Sequence, residues 1–216
     1  MNPTPDGPDR DLALAQYRRR AKVYDWELAA FEPIRRHAIA RLRLAPGATV
    51  LDVGCGTGLS FEPLRQLLGS RGHIIGIEQC PEMLAQARAR VAHQRWRNVT
   101  LLNTPVEASQ IQTLADAALF HFTHDILRNP DAIQKVLAGL KPGARVVAAG
   151  LQWANLWAWP TNWFVWMAAL HSVTSLEGLD QPWGLLAEHL SALQVETTLM
   201  GGVYIASGTF AHAVRP

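Results

Sequence analysis

Short apolar runs alternate with stretches of helical spacing along most of the chain. From Asp9 to Leu44 the spacing and the good helix formers predict helix. Pro33 opens a second helix there, because proline is tolerated in a helix's first turn. Ala45-Pro46-Gly47 is a turn, and Thr49 to Val53 is an apolar run that ends at a glycine cluster, the pattern of a buried strand. Helix is expected over Ser60 to Leu68, closed by Gly69, and strand over Ile74 to Ile77. Pro81 to Ala92 is the next helix, followed by strands at Val99 to Leu102 and Ala117 to Phe122. Pro130 to Leu140 is helical, and Lys141-Pro142-Gly143 turns the chain into a fifth strand, Arg145 to Ala149. Strands that alternate with helices imply an α/β fold, a doubly wound, mostly parallel sheet with helices on both faces. Val195 to Leu199 and Tyr204 to Ser207, separated by Gly201-Gly202, read as an antiparallel C-terminal hairpin at one sheet edge.

Composition narrows the function classes. With 216 residues, 49% hydrophobic and 18% charged, the chain suits one domain with a substantial core, residues 13–216 behind a flexible tail of residues 1–12. The net charge of +2 carries no polyelectrolyte signal, and the arginines are scattered, so nucleic acid is not an expected partner. Two cysteines, Cys55 and Cys80, make neither a disulfide framework nor a zinc site, which fits a reducing, cytoplasmic setting. Met1 to Pro8 lacks the basic and apolar regions of a signal peptide. No group has metal-ligand spacing, and no G-x-x-x-x-G-K-[ST] loop occurs.

The strongest signal is Val50-Leu51-Asp52-Val53-Gly54-Cys55-Gly56-Thr57-Gly58. A strand delivers the chain into three alternating glycines that let the backbone turn sharply and approach a ligand. Glu78 follows at the end of the second strand, where a carboxylate can accept from both ribose hydroxyls. A dinucleotide loop prefers G-x-G-x-x-G, and here Leu59 takes the third glycine's place. Asp52 would repel a phosphate and suits an ammonium.

These motifs resemble those of class I S-adenosylmethionine (SAM)-dependent methyltransferases, in particular the small ubiquinone/menaquinone-biosynthesis-like branch. Asp52 to Gly58 is similar to the family's first motif, and Ile77-Glu78-Gln79-Cys80-Pro81-Glu82-Met83-Leu84 to the segment after it. Lys141-Pro142-Gly143 before a strand and Tyr24-Asp25 near the start are also family-like. The resemblance implies SAM as cofactor and S-adenosylhomocysteine as product. It implies that Asp52 orients the methionine amine, that Gly54, Cys55, Gly56, Thr57 and Gly58 pass the methionine and ribose, and that Glu78 holds the ribose hydroxyls. Gln79, Met83, Pro105, Val106 and Glu107 would surround the adenine. Pro105 stands where the family usually has an aspartate, which leaves Thr104 or Glu107 as the substitute. Residues 13–44 would fold over the cofactor as a lid, with Tyr17 or Tyr24 closing on the acceptor.

The fourth strand runs into Phe120-His121-Phe122-Thr123-His124-Asp125, at the strand end that faces the transferred methyl in this fold. Phe122 is a cofactor contact on this reading. His124 lies past the strand end and is the candidate base, with Asp125 to orient it or to cap the next helix. The competing reading is that His124 only lines the cofactor pocket. No general base is required where the acceptor is already deprotonated.

Five of eight tryptophans lie between Trp153 and Trp166, and no ionisable Asp, Glu, Lys or Arg occurs from Val146 to Leu176. Residues 151–190 therefore form a tryptophan-rich insertion, with Trp159, Trp163 and Trp166 at helical spacing. Three readings stand: a buried helix, an aromatic substrate pocket built from Trp153, Trp157 and Trp183, or an interfacial patch touching membrane or another copy. The expected activity is methyl transfer to a small apolar or aromatic acceptor. The alternatives are a membrane-surface N-methyltransferase of a lipid headgroup and a non-catalytic binding subunit.

Overall fold

In the computed structural model, residues 31–155, 158–172 and 176–211 are described. The strand β1 (Thr49–Val53) lies mid-sheet and pairs in parallel with both β2 (His73–Glu78) and β4 (Ala115–His121). Its last four residues are buried, as the continuous apolar run requires. β3 (Val99–Asn103) extends the sheet beyond β2, and β5 (Leu140–Leu151) pairs in parallel with β4. β6 (Leu190–Thr198) and β7 (Val203–Phe210) form the antiparallel hairpin, with β7 against β5. The order is β3-β2-β1-β4-β5-β7-β6, so the hairpin sits at one edge. β5 is longer than the expected Arg145 to Ala149: it begins at Leu140, and its register against β4 shifts between Ala115 and Ala117 to absorb the Lys141-Pro142-Gly143 bend.

The helices follow the apolar stripes. α1 (Glu32–Arg41) has Pro33 in its first turn and buries Ile34, Arg35, Ala38 and Ile39. α2 (Phe61–Leu68) and α3 (Pro81–His93) follow β1 and β2. After β4 come one turn of helix, α4 (His124–Leu127), and then α5 (Pro130–Ala138), whose Asn129 side chain accepts from the amides of Asp131 and Ala132. α6 (Trp159–Ser172) and the one-turn α7 (Gly184–Ala187) lie between β5 and the hairpin.

Two apolar cores flank the sheet. One gathers Ile34, Ala38, Ile39, Phe61 and Leu64 on Val50, Leu119 and Ala149. The other packs Ile133, Val136 and Leu186 on Leu51, Val53, Ala118 and Phe120. The order reverses between β1 and β4, where the first connection goes to one side and the next to the other. Crevices at such switch points, beyond the carboxyl ends of the strands, are where ligands enter open α/β sheets.

Candidate active site

The loop after β1 is held by its backbone. The amides of Gly54 and Cys55 both donate to the Ile77 carbonyl, at 2.8 and 3.0 Å, and the Gly58 amide donates to Cys55 at 2.9 Å. Gly54, Gly56 and Gly58 all have left-handed φ, at 69°, 55° and 79°. A Cβ on Gly54 would come within 2.6 Å of the Thr123 methyl. The glycines therefore serve both the turn and the close approach of the β4 loop. The Thr57 carbonyl accepts from Arg90 Nε at 3.1 Å, which ties the loop to α3.

Glu78 is buried, with a backbone amide on each carboxylate oxygen. Its Oε2 accepts from the Gly56 amide at 3.1 Å and its Oε1 from the Cys80 amide at 2.7 Å. Burial raises its pKa, and those amides work against the rise. The carboxylate thus braces the glycine loop against the start of α3, and each oxygen keeps a lone pair for a further donor. Asn103 Nδ2 donates to the carbonyls of Glu78 and Gln79 at 3.0 and 3.3 Å.

A small cavity of about 20 Å³ opens here, lined by Arg35, Asp52, Gly54, Cys55, Gly56, Thr57, Leu59, Ser60 and His121. Asp52 is buried with Oδ2 unpartnered. Its pKa is pushed up to about 7, mainly by burial and further by Glu78, while the Arg35 guanidinium pulls it down. Arg35 is only 2% exposed and pairs with Glu32 on its own helix. His121 has a buried, unpartnered Nε2, and burial together with Arg35 lowers its pKa to about 3, so the ring is neutral. Phe122 has a left-handed φ of 57°, with its ring edge-on to Phe31 at 4.9 Å. For a bulky residue that backbone conformation is an outlier of the kind found at ligand sites.

The remaining sequence candidates divide. Met83 is fully buried and belongs to neither apolar core, and Gln79, four residues before it, is half-buried. Pro105 and Glu107 are half-buried, whereas the Val106 side chain joins the second core, where Ile75 and Ile77 lie. His124 does not line the cavity. Its Nε2 donates to the Glu177 carbonyl at 2.9 Å, and its Nδ1 is buried without a partner. Asp125 sits next to it and raises its pKa against the lowering by burial. Trp153 packs on the first core and its amide donates to Leu179. Trp183 lies against the second core, with Tyr204 at 4.7 Å, so these two tryptophans do not share one pocket. Tyr17, Tyr24 and Trp157 lie outside the described residues. Cys55 and Cys80 are both free, and burial raises both thiols. Among the described residues no group of His, Cys, Asp and Glu is arranged to hold a metal.

Among the lining residues, Arg35 and His121 are not site candidates from the sequence. Arg35 falls on the apolar stripe of α1, where an arginine is rarely fully buried. His121 was passed over for His124, yet the register pairs Asp52 with Leu119. His121 stands two residues beyond Leu119 and so shares the face of Asp52.

Residues 50–143 match a family described as a methyltransferase domain. This stretch, from β1 to the start of β5, resembles the methyltransferase domain of class I S-adenosylmethionine-dependent enzymes. Among its relatives, an arsenite methyltransferase of Halobacterium salinarum is 32% identical over 108 residues, 48% of this chain and 27% of that protein. A 2-phytyl-1,4-naphtoquinone methyltransferase of Synechocystis sp. is 27% identical over 152 residues, 64% of this chain and 62% of that one. The chain thus spans less than two thirds of the length of the relatives it matches. The N-methyltransferase NodS of Bradyrhizobium japonicum WM9, solved with S-adenosyl-L-homocysteine, has the same fold. The TM-score is 0.65 at 19% identity, over 92% of this chain and 98% of NodS.

Proposed function

We propose that the protein binds S-adenosylmethionine at the β1 and β2 ends and transfers its methyl group to a small apolar or aromatic acceptor. The observation that carries this reading is the unpartnered Asp52 oxygen buried beside three left-handed glycines at the switch point. A buried carboxylate oxygen without a donor suits an ammonium group. The donor set fits the cofactor; the cavity, at about 20 Å³, has room for about one water, whereas small-molecule sites run to ~300–1,000 Å³. Binding therefore goes with an opening of the Arg35 and Leu59 walls.

S-adenosylmethionine supplies a methyl carried on a sulfonium, which an acceptor displaces in line. The chain's own residues bind, orient and exclude water. Asp52 faces the amine, and the three glycines let the methionine and ribose lie close against the Gly54 to Gly58 backbone once the walls have opened. Glu78 takes the ribose hydroxyls on its remaining lone pairs, and Gln79 and Met83 flank the base. His121, neutral at every physiological pH, offers a ring nitrogen to hold the acceptor near the methyl. His124, tied to Glu177, positions the loop over the β4 end. The acceptor's aromatic or apolar character is supported by Phe31, Phe122 and Trp153 around this end of the sheet.

Calorimetric titration with S-adenosylmethionine tests the site: Glu78→Ala and Asp52→Ala are expected to weaken binding at least tenfold. Unchanged affinity in both would overturn the assignment. Methyl-labelled cofactor incubated with an extract of the source cells tests the acceptor. Label in an organic-soluble small molecule supports the reading, whereas label in phospholipid would point to a lipid headgroup. Binding without label in any fraction would favour a non-catalytic subunit.

A further inference from the structure

α6 is mostly apolar, and among its described side chains the apolar ones divide between a buried and an exposed side. Thr161 and Val165 are buried, and Gly202 packs against both. At 100° per residue, Trp159, Trp163, Trp166 and Met167 project from the opposite side. They are exposed by 73, 62, 42 and 37%. Leu199 and Met200 are also exposed, but their turn adjoins the inner side through Gly202. An apolar helix face of this kind in water marks a place of contact.

We propose that the outer face of α6 docks the protein onto the surface of a lipid bilayer, lying flat in the interface. Four observations select lipid over other occupants. The residues are mainly tryptophan, the side chain that favours the level of the lipid headgroups. No Asp, Glu, Lys or Arg occurs from Val146 to Leu176, whereas protein interfaces carry a polar rim. The face offers roughly 500 Å², taking ~200–250 Å² for each large side chain, and a stable dimer buries about 800 Å² on each partner. Finally, fourteen residues of helix reach about 21 Å, short of the ~30 Å hydrocarbon core. Among the described residues no helix is long and apolar enough to cross a membrane. The face therefore inserts indoles without spanning. Because it is uncharged, it recognises neutral lipid. α6 follows the carboxyl end of β5 in the chain, after residues 152–158, so docking brings that end of the sheet toward the bilayer. The inference stands on α6 alone and does not depend on the methyltransferase reading.

Co-sedimentation with phosphatidylcholine vesicles tests it. The full chain is expected to partition onto neutral vesicles equally at low and high salt, with its tryptophan emission quenched by brominated phosphatidylcholine. The triple variant Trp159→Ser, Trp163→Ser, Trp166→Ser should lose at least tenfold in partitioning and lose the quenching. Its circular dichroism and S-adenosylmethionine titration should be unchanged, since none of the three lines the cavity. Three results would overturn the proposal. One is wild-type protein left in the supernatant. Another is binding that needs phosphatidylglycerol and vanishes with salt, which would assign the contact to arginines. The third is a wild-type dimer that the triple substitution makes monomeric, which would assign the face to a second copy.

Discussion

Asp52 is the residue on which the site's pH behaviour turns. An ordinary carboxyl near 3.8 in the unfolded chain rises to about 7 in the folded one. The folded state therefore holds the extra proton between those values. Stability falls as pH rises through that window and levels off above it. Asp52→Asn removes the dependence, and at pH 8 the variant is expected to be more stable by up to roughly 4 kcal/mol, measured by urea denaturation across pH. Ligand binding has the opposite sign, because an ammonium at the orphan oxygen favours the carboxylate. Affinity for S-adenosylmethionine should climb between pH 5.5 and 7.5, with proton release at pH 6 visible by titration in buffers of different ionisation heat. His121 does not share in this. Its NMR ring signals should show no titration between pH 5 and 9, since burial and Arg35 hold the ring neutral. Gly54→Ala is a harsher change. The left-handed φ of 69° and the 2.6 Å approach to Thr123 act together, costing about 1 kcal/mol for the backbone and ~1–3 more for the clash. Thermal melting would register the loss, along with weakened cofactor binding.

At the level of elements, the chain's punctuation was informative where the physics is local. Glycine after β1, proline at the start of α1, α3 and α5, and apolar runs of strand length placed most helices and strands within a few residues. The cap on α5 shows how local such a device is. Asn129→Ala removes two hydrogen bonds to the Asp131 and Ala132 amides. It should cost about 1 kcal/mol and ~2–4 °C of Tm, leaving cofactor affinity unchanged. What was not legible depends on contacts made at a distance. His121 lines the cavity and His124 does not, because the turn at Phe122, with a φ of 57°, breaks the strand alternation and Glu177 captures His124 from 53 residues away. Trp153 and Trp183 look equivalent in a tryptophan-rich run, but the chain carries them to opposite faces of the sheet. The buried reading of Trp159, Trp163 and Trp166 fails because helical spacing cannot say which of two apolar faces meets the core.

For the whole molecule, the site is a meeting of three parts. β1 and its loop bring Asp52 and the glycines, β2 brings Glu78, and α1 comes across from before the sheet with Arg35. Arg35 touches no strand by hydrogen bond, yet its charge works against burial at Asp52 and adds to burial at His121. The cavity beside Asp52, walled by Arg35 and the glycine loop, is a fraction of the size of the proposed ligand. Closure of that kind taxes affinity: the measured Kd is the intrinsic one divided by the fraction of molecules that are open. It also shapes time. In stopped-flow mixing, the observed rate should rise with S-adenosylmethionine and then flatten at the opening rate. A substitution that loosens the lid, such as Arg35→Ala, should lift that ceiling even as it hastens release. The small void beside Asp52 is thus a clock as well as a container.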